Sequence, residues 1–242
     1  LIVLGDSKAE AVFYGLARES APGLGISLIG SIGLHRESGS ATDRESVKSR
    51  LAFQAASENP SVDVVLLAVA LRGLFPINAD SGFIEGSHEP AIRRWSEELS
   101  ASIRQLEQRG KRVVILIDNP FLPDPRNCVA GEMTTLPVLK QLLRRNANPR
   151  CTIRHTDQLA GTAPYRRLMD ELARQHPNLI VYDPTPLLCD MARNECAITR
   201  DKKFLYSYSD HYSDYANSLI ARDLLTTLER RAKSAPDGRL KE

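Results

Sequence analysis

Gly5-Asp6-Ser7 stands at a junction. An apolar run, Leu1 to Leu4, precedes it. After it, Ala9, Val12, Phe13, Leu16 and Ala17 recur at helical spacing. A serine at such a strand-to-helix turn is held out of the sheet, above the free N–H groups of a helix N-terminus. Those groups favour negative charge. This suits a hydroxyl that attacks a carbonyl and generates an oxyanion. A serine there also serves simply as an N-cap, so the chemical reading requires a base. The chain has five histidines. His35 and His88 fall where loops follow strands, and His155 and His176 sit among polar residues; all four read as surface positions. His211 lies in "LYSYSDHYSDYANSLIA", between a short apolar run and the last helical segment. A neutral imidazole at that place, with Asp210 beside it, can take the Ser7 proton and return it to a leaving group.

These residues need a scaffold, and the order of elements supplies one. "GISLIGSIG", "VDVVLLAVAL", "RVVILID" and "NLIVYD" read as four further strands after Leu1–Leu4. The continuous apolar character of the third run is that of a strand buried on both faces. Helical patterns lie between and after them. They are "TDRESVKSRLAFQAASE" (capped at Thr42 or Asp43), the stripe Ile92, Trp95, Leu99, Ile103 and Leu106, "LPVLKQLLRR", "PYRRLMDELARQ" and "SDYANSLIARDLLTTLERR". The β-α-β-α order predicts an α/β fold with a parallel sheet covered on both faces. Segments 74–89 and 119–133 read as loops at the carboxyl edge, where ligands bind in open α/β sheets. No linker splits the chain. Residues 1–232 are expected to form a single domain, and 233–242 a disordered tail.

With 42% apolar and 26% charged residues among 242, the chain is that of an ordinary globular domain. A formal net charge of +2 is too weak a basic excess to point to nucleic acid. No apolar run reaches the roughly 18 residues of a membrane span. The four cysteines, Cys128, Cys151, Cys189 and Cys196, form no Cys-x-x-Cys pair, so a zinc site is poorly supported and no metal or other cofactor is expected. They allow two disulfides in three connectivities, or four buried thiols.

Several blocks together resemble a known family. Gly5-Asp6-Ser7 near the start and Asp210-His211 before the last helix resemble the first and last blocks of the SGNH (GDSL-type) hydrolases. "IDNPFLPDPRNC", "VYDPTPLLCD" followed by Cys196, and "FLYSYSDHYS" narrow the resemblance to the SGNH domain fused to membrane acyltransferases of family three. That resemblance covers nearly the whole chain. It implies a three-layer α/β/α sandwich of flavodoxin-like SGNH type, in a periplasmic or other extracytoplasmic compartment, attached to the inner membrane in the full-length protein. It implies O-acylation, usually O-acetylation, of a surface glycan such as lipopolysaccharide. A membrane acyltransferase domain ahead of Leu1 would supply the acyl donor. Ser7 would be the nucleophile and His211 the base, with the Ser7 N–H and a glycine N–H, Gly30 or Gly33, as oxyanion donors. Cys189–Cys196 would be a short-loop disulfide, leaving Cys128–Cys151 as the other pair.

Two positions depart from the family pattern. Tyr208 stands three residues before His211, where the family usually has the triad Asp. Asp210 is the alternative acid, although neighbours on an extended segment face opposite sides. Orienting the imidazole then requires a turn, or a backbone carbonyl serving a Ser-His dyad. The Asn oxyanion donor common after the third strand is also missing. Arg72 is the nearest polar group, a candidate oxyanion donor or a partner for a glycan or surface carboxylate, and Asn78 lies further along. Trp95 is expected in the core, while Tyr206, Tyr208, Tyr212 and Tyr215 are divided between packing and a sugar platform. The competing functions are a carbohydrate O-acetylesterase, a non-catalytic glycan-binding module, and a cytosolic lipase-like hydrolase with free thiols.

Overall fold

The computed structural model describes residues 1–33, 44–78, 81–86, 89–122, 128, 151–208 and 210–234. Five parallel strands form the central sheet in the spatial order β2-β1-β3-β4-β6. They are β1 (Ile2–Gly5), β2 (Ser27–Ile29), β3 (Val64–Ala68), β4 (Arg112–Leu116) and β6 (Ile180–Tyr182). These are the five strands expected from the sequence. The helices between them are α1 (Ser7–Glu19), α2 (Arg44–Glu58) and α3 (Glu89–Gln108). Beyond β4 and the short β5 (Thr152–Arg154) come α4 (His155–Gly161) and α5 (Ala163–Gln175). The chain ends through the short α6 (Thr185–Leu188), the two- and three-residue strands β7 (Cys189–Asp190) to β12 (His211–Tyr212), and α7 (Asp214–Ser234).

Alternation along the strands creates two cores, because successive side chains leave a strand on opposite faces. Leu4, Val65, Leu67, Val113 and Ile115 pack against α2, α3 and α5, with Trp95 buried in this layer. Val3, Leu66, Ala68, Val114 and Leu116 pack against α1 and α7. All five residues of β3 are buried, each Val and Leu side chain contributing about 2 kcal/mol. The result is the three-layer α/β/α sandwich. Its strand order reverses between β1 and β3, so their carboxyl ends frame a crevice at the topological switch point.

Two glycines permit close approaches that shape this crevice. A Cβ on Gly5 would lie 1.8 Å from the Ala68 carbonyl oxygen, so β1 and β3 could not converge with any other residue there. Gly5 also has φ +152°. A Cβ on Gly15 would lie 2.5 Å from the Asn217 carbonyl oxygen, so α1 can rest directly on the α7 backbone.

The structure corrects two expectations. Lys233 and Ser234 belong to α7 and not to a tail. His176 is buried, at 4% exposure, and not a surface residue. Of the two readings of the cysteines the disulfides hold: Cys128 pairs with Cys151 and Cys189 with Cys196, the pairing the resemblance implies. The expected cap at Thr42 or Asp43, the helix over 136–145, His35, His88 and residues 235–242 lie outside the described residues.

Gly5→Ala should destabilise the protein by at least about 3 kcal/mol, because the added carbon meets backbone that has nowhere to go. Urea unfolding followed by circular dichroism measures this, and a loss under about 1 kcal/mol would mean β1 and β3 can separate freely.

Candidate active site

The site starts from Asp6. Its carboxylate caps α1 by accepting the Lys8 N–H at 2.9 Å. The other oxygen accepts the Ala70 N–H, also at 2.9 Å. One side chain therefore fixes the start of α1 to the segment leaving β3. Asn, Asp and Ser caps are worth about 1 kcal/mol, and the second bond adds positional restraint. Ser7 is the first residue of α1, where backbone N–H groups have no intrahelical acceptor.

Ser7 Oγ lies 3.0 Å from His211 Nε2, across 204 positions of sequence. His211 begins β12, which pairs with β11 (Tyr206–Tyr208) in a small antiparallel hairpin. Asp210 occupies the turn just before β12. That turn removes the geometric objection to neighbouring residues, and Asp210 Oδ1 stands 3.2 Å from His211 Nδ1. The hydroxyl is hydrogen-bonded to the imidazole, and the carboxylate lies within ion-pair distance of the ring's other nitrogen without a hydrogen bond to it. Imidazole basicity is adjusted by its surroundings. Burial lowers the His211 pKa below its ordinary value of 6.5; Asp210 opposes this, while Lys8 and Arg72 reinforce it. The imidazole is therefore neutral at pH 7 and able to accept a proton.

Asp210 is 3% exposed. Burial raises its pKa, but the Lys8 and Arg72 charges and hydrogen bonds overcome this and hold the carboxyl below the usual range. Arg72 donates through Nη1 to Asp210 Oδ2. Arg72 lies in the 3-10 turn Leu71–Gly73 after β3. Its recorded partner is thus the candidate acid. Gly30 directly follows β2, and the Ile32 N–H donates to the Gly5 carbonyl at 3.1 Å. This bond sets residues 30–33 beside the nucleophile turn. The Gly33 carbonyl accepts the Ser49 hydroxyl at 2.7 Å.

Sequence reading missed three residues of this cluster. Lys8 is 2% exposed, directly after the serine. Its ammonium donates to Asn119 Oδ1 at 2.6 Å and to the Asp210 carbonyl at 2.6 Å. It lies 2.9 Å from Asp118 Oδ1 and 3.2 Å from Asp210 Oδ2. Asp118 in turn accepts the Leu71 N–H at 2.7 Å. A signal was present: Lys8, Val12 and Leu16 share one helical stripe, so a cation stood where an apolar residue was due. Asp118 and Asn119 directly follow the β4 run, at the sheet's carboxyl edge.

The tyrosines divide. Tyr206 and Tyr212 are buried, with stacked rings 6.4 Å apart. Tyr215 is partly buried and donates to Asp201 at 3.3 Å. The side chain of Tyr208 lies outside the described residues. Asn78 bonds within its own loop, to Glu85 and to the Ser81 N–H.

A second serine and histidine provide a useful contrast. His176 lies 2.8 Å from Ser100 Oγ through Nε2 and 2.9 Å from Glu107 Oε2 through Nδ1. Ser100 borders a cavity of about 530 Å³. Yet Ser100 is in the middle of α3, where backbone N–H groups are consumed by the helix. Ser100 has no free backbone N–H groups beside it, and this trio ties α3 to the end of α5. Ser7 differs by standing on a helix N-terminus.

The fold is that of the SGNH class, and the Ser7–His211 contact stands at the start of α1. The SGNH domain fused to AT3 domains matches residues 1–226, and the chain belongs to that family. No curated protein matches the sequence. Among solved structures, the periplasmic domain of a Salmonella ser. Paratyphi A lipopolysaccharide acetyltransferase is similar, with TM-score 0.60 and 12% identity over 94% of this chain and 83% of that one. A carbohydrate acetylesterase family member from Sinorhizobium meliloti is also similar, with TM-score 0.50 and 12% identity over 95% of this chain and 98% of that one. At such identities the likeness is one of fold. Among the described residues, no helix is long and apolar enough to cross a membrane.

The lowered Asp210 pKa has a stability consequence. Its folded value lies below the unfolded value of about 3.9. The group therefore adds stability at higher pH, which is lost as pH falls through the folded value. In urea titrations below about pH 4, Asp210→Asn should show a shallower loss of stability than the parent. An unchanged slope would mean that other carboxylates dominate acid unfolding.

Proposed function

We propose that the chain through the end of α7 acts as one extracytoplasmic catalytic unit that transfers an acyl group, in the first instance acetyl, to a sugar hydroxyl of a surface polysaccharide. The contact between Ser7 Oγ and His211 Nε2, at 3.0 Å on a helix N-terminus, carries this reading. Family membership supports an acyl-transferring or esterase enzyme. The fusion partner after which the family is described supports donor supply by a membrane acyltransferase domain.

The steps follow from the geometry. Ser7 Oγ attacks the donor carbonyl carbon as its proton passes to His211 Nε2. Charge on the carbonyl oxygen falls toward the Ser7 N–H and a glycine N–H, from Gly30 or Gly33. Such donors are worth about 3 kcal/mol each in the transition state. Arg72, with 42% of its side chain exposed, adds positive charge at the same mouth. The tetrahedral species collapses, the carbonyl carbon loses the leaving group, and the leaving group takes the His211 proton. The acyl group is then an ester of Ser7. A sugar hydroxyl next loses its proton to His211 and attacks that ester. The Ser7 oxygen leaves and recovers the proton. Water in place of the sugar gives the esterase reaction, so acceptor access decides the outcome. Asp210 stabilises the imidazolium in both halves.

A fluorophosphonate probe should label Ser7, and p-nitrophenyl acetate should release nitrophenol with acetyl appearing on Ser7 by intact mass. Ser7→Ala should abolish labelling, and His211→Ala should slow it by about 10³-fold or more. The acylation rate should rise with pH through the His211 pKa, below 6.5, and be level at neutral pH, since only the neutral imidazole accepts a proton. Labelling that ignores His211, in folded protein, would reject the mechanism. A glycan hydroxyl that shortens the acyl-enzyme lifetime and becomes acylated would select transfer over hydrolysis.

A further inference from the structure

We propose that Lys8 is a positioning residue for the reaction at Ser7: its buried ammonium grips Asp210 by carbonyl and carboxylate together and thereby sets the His211 imidazole. The inference rests on the acyl-serine reading above and extends it to a residue that does not touch the reacting atoms.

The argument begins with the covalent constraint. Asp210 and His211 are adjacent, so their side chains meet only if the backbone at residue 210 is held in a turn. A carboxylate in such a turn has two ways to be lost: the peptide can rotate, or the side chain can swing. Lys8 blocks both. It holds the peptide through the carbonyl at 2.6 Å and the side chain through Oδ2 at 3.2 Å. Arg72 holds the same Oδ2 from the partly exposed side. This leaves Oδ1 3.2 Å from His211 Nδ1, a charge contact rather than a hydrogen bond.

The ammonium is itself fixed. Asp118 Oδ1 at 2.9 Å and Asn119 Oδ1 at 2.6 Å hold it from the end of β4. The Tyr212 ring lies 5.7 Å from it on the hairpin side. Lys8 also shares a turn of α1 with Ser7, so one helix start places the nucleophile and, one residue on, the anchor of the acid. The buried charge is what makes this anchor stiff, because an unpaired ammonium or carboxylate at this depth is costly.

The charged groups facing the imidazole are Asp210 from the turn, Lys8 from α1, Arg72 from the 3-10 turn after β3, and Asp118 from the end of β4. Lys8 and Arg72 act to lower the His211 pKa, and Asp210 and Asp118 to raise it. The two cores of the ion cluster thus give opposite predictions for two substitutions.

The test is the pH profile of acylation by p-nitrophenyl acetate, with fluorophosphonate labelling of Ser7 in the same samples. Lys8→Met should slow acylation at pH 7 by about 10²-fold, the cost of a misplaced group. KM should stay within about threefold, and the acid limb should move to higher pH. Asp118→Asn, which keeps the Lys8 charge, should move the limb to lower pH. Lys8→Met that is folded, with parental rate and limb, overturns the proposal. If Lys8→Met does not fold, Asp118→Asn decides through the plateau rate, because it removes one of the groups that hold the Lys8 ammonium: slower acylation at unchanged KM supports the proposal, and a parental plateau rate overturns it. Parent protein that is not labelled at Ser7 instead overturns the acyl-serine reading and this inference with it.

Discussion

A lysine ammonium with 2% exposure imposes the strongest local demand in this structure. It cannot sit in the interior without acceptors, and its neighbours in sequence do not provide them. The acceptors come from Asp118 and Asn119 after β4 and from Asp210 before β12. Three stretches of chain, about a hundred residues apart, are drawn to one point. Asp6 extends the cluster to the end of β3, and Asp118 reaches Leu71. The carboxyl edge of the sheet is therefore bound together by ionic and amide contacts, while its two faces are held by apolar burial.

This division explains what each region can do. The faces need only volume and periodicity, which many sequences satisfy. The edge needs particular atoms at particular distances. Gly5 lets β1 approach β3 closely enough for Asp6 to span from α1 to Ala70. The disulfides strengthen the outer part of the same arrangement. Cys189–Cys196 joins β7 to β8 (Glu195–Ala197), and Cys128–Cys151 ties residue 128 to the start of β5, 23 positions on. Closing a loop of that length restricts the unfolded chain by about 3 kcal/mol in the chain-entropy account.

The five central strands were legible because parallel strands buried on both faces read as uninterrupted apolar runs. Helices α3 and α5 were legible from their stripes. The strands from β7 to β12 were not, since two or three residues carry no periodicity. Ser7 and His211 could be picked out by position, one on a helix start and one before the last helix. Asp210 could be named but not oriented, because the turn that aims it depends on Lys8, Asp118 and Asn119. Those partners are remote in sequence, and only the interrupted stripe of α1 hinted at them. His176 misled for the same reason: its polar neighbours in sequence suggested solvent, while its actual partners, Ser100 and Glu107, stand on α3.

The contact of α1 with α7 at Gly15 and Asn217 has one more consequence. His211 belongs to no strand of the central sheet. It is kept over Ser7 by the small hairpin and by α7, whose place depends on that backbone-to-helix contact. Lifting α7 from α1 would take the base away from Ser7 and uncover the face of the sheet on which Ile220, Leu224 and Leu228 are buried, so the helix that holds the base in place also closes one of the two cores.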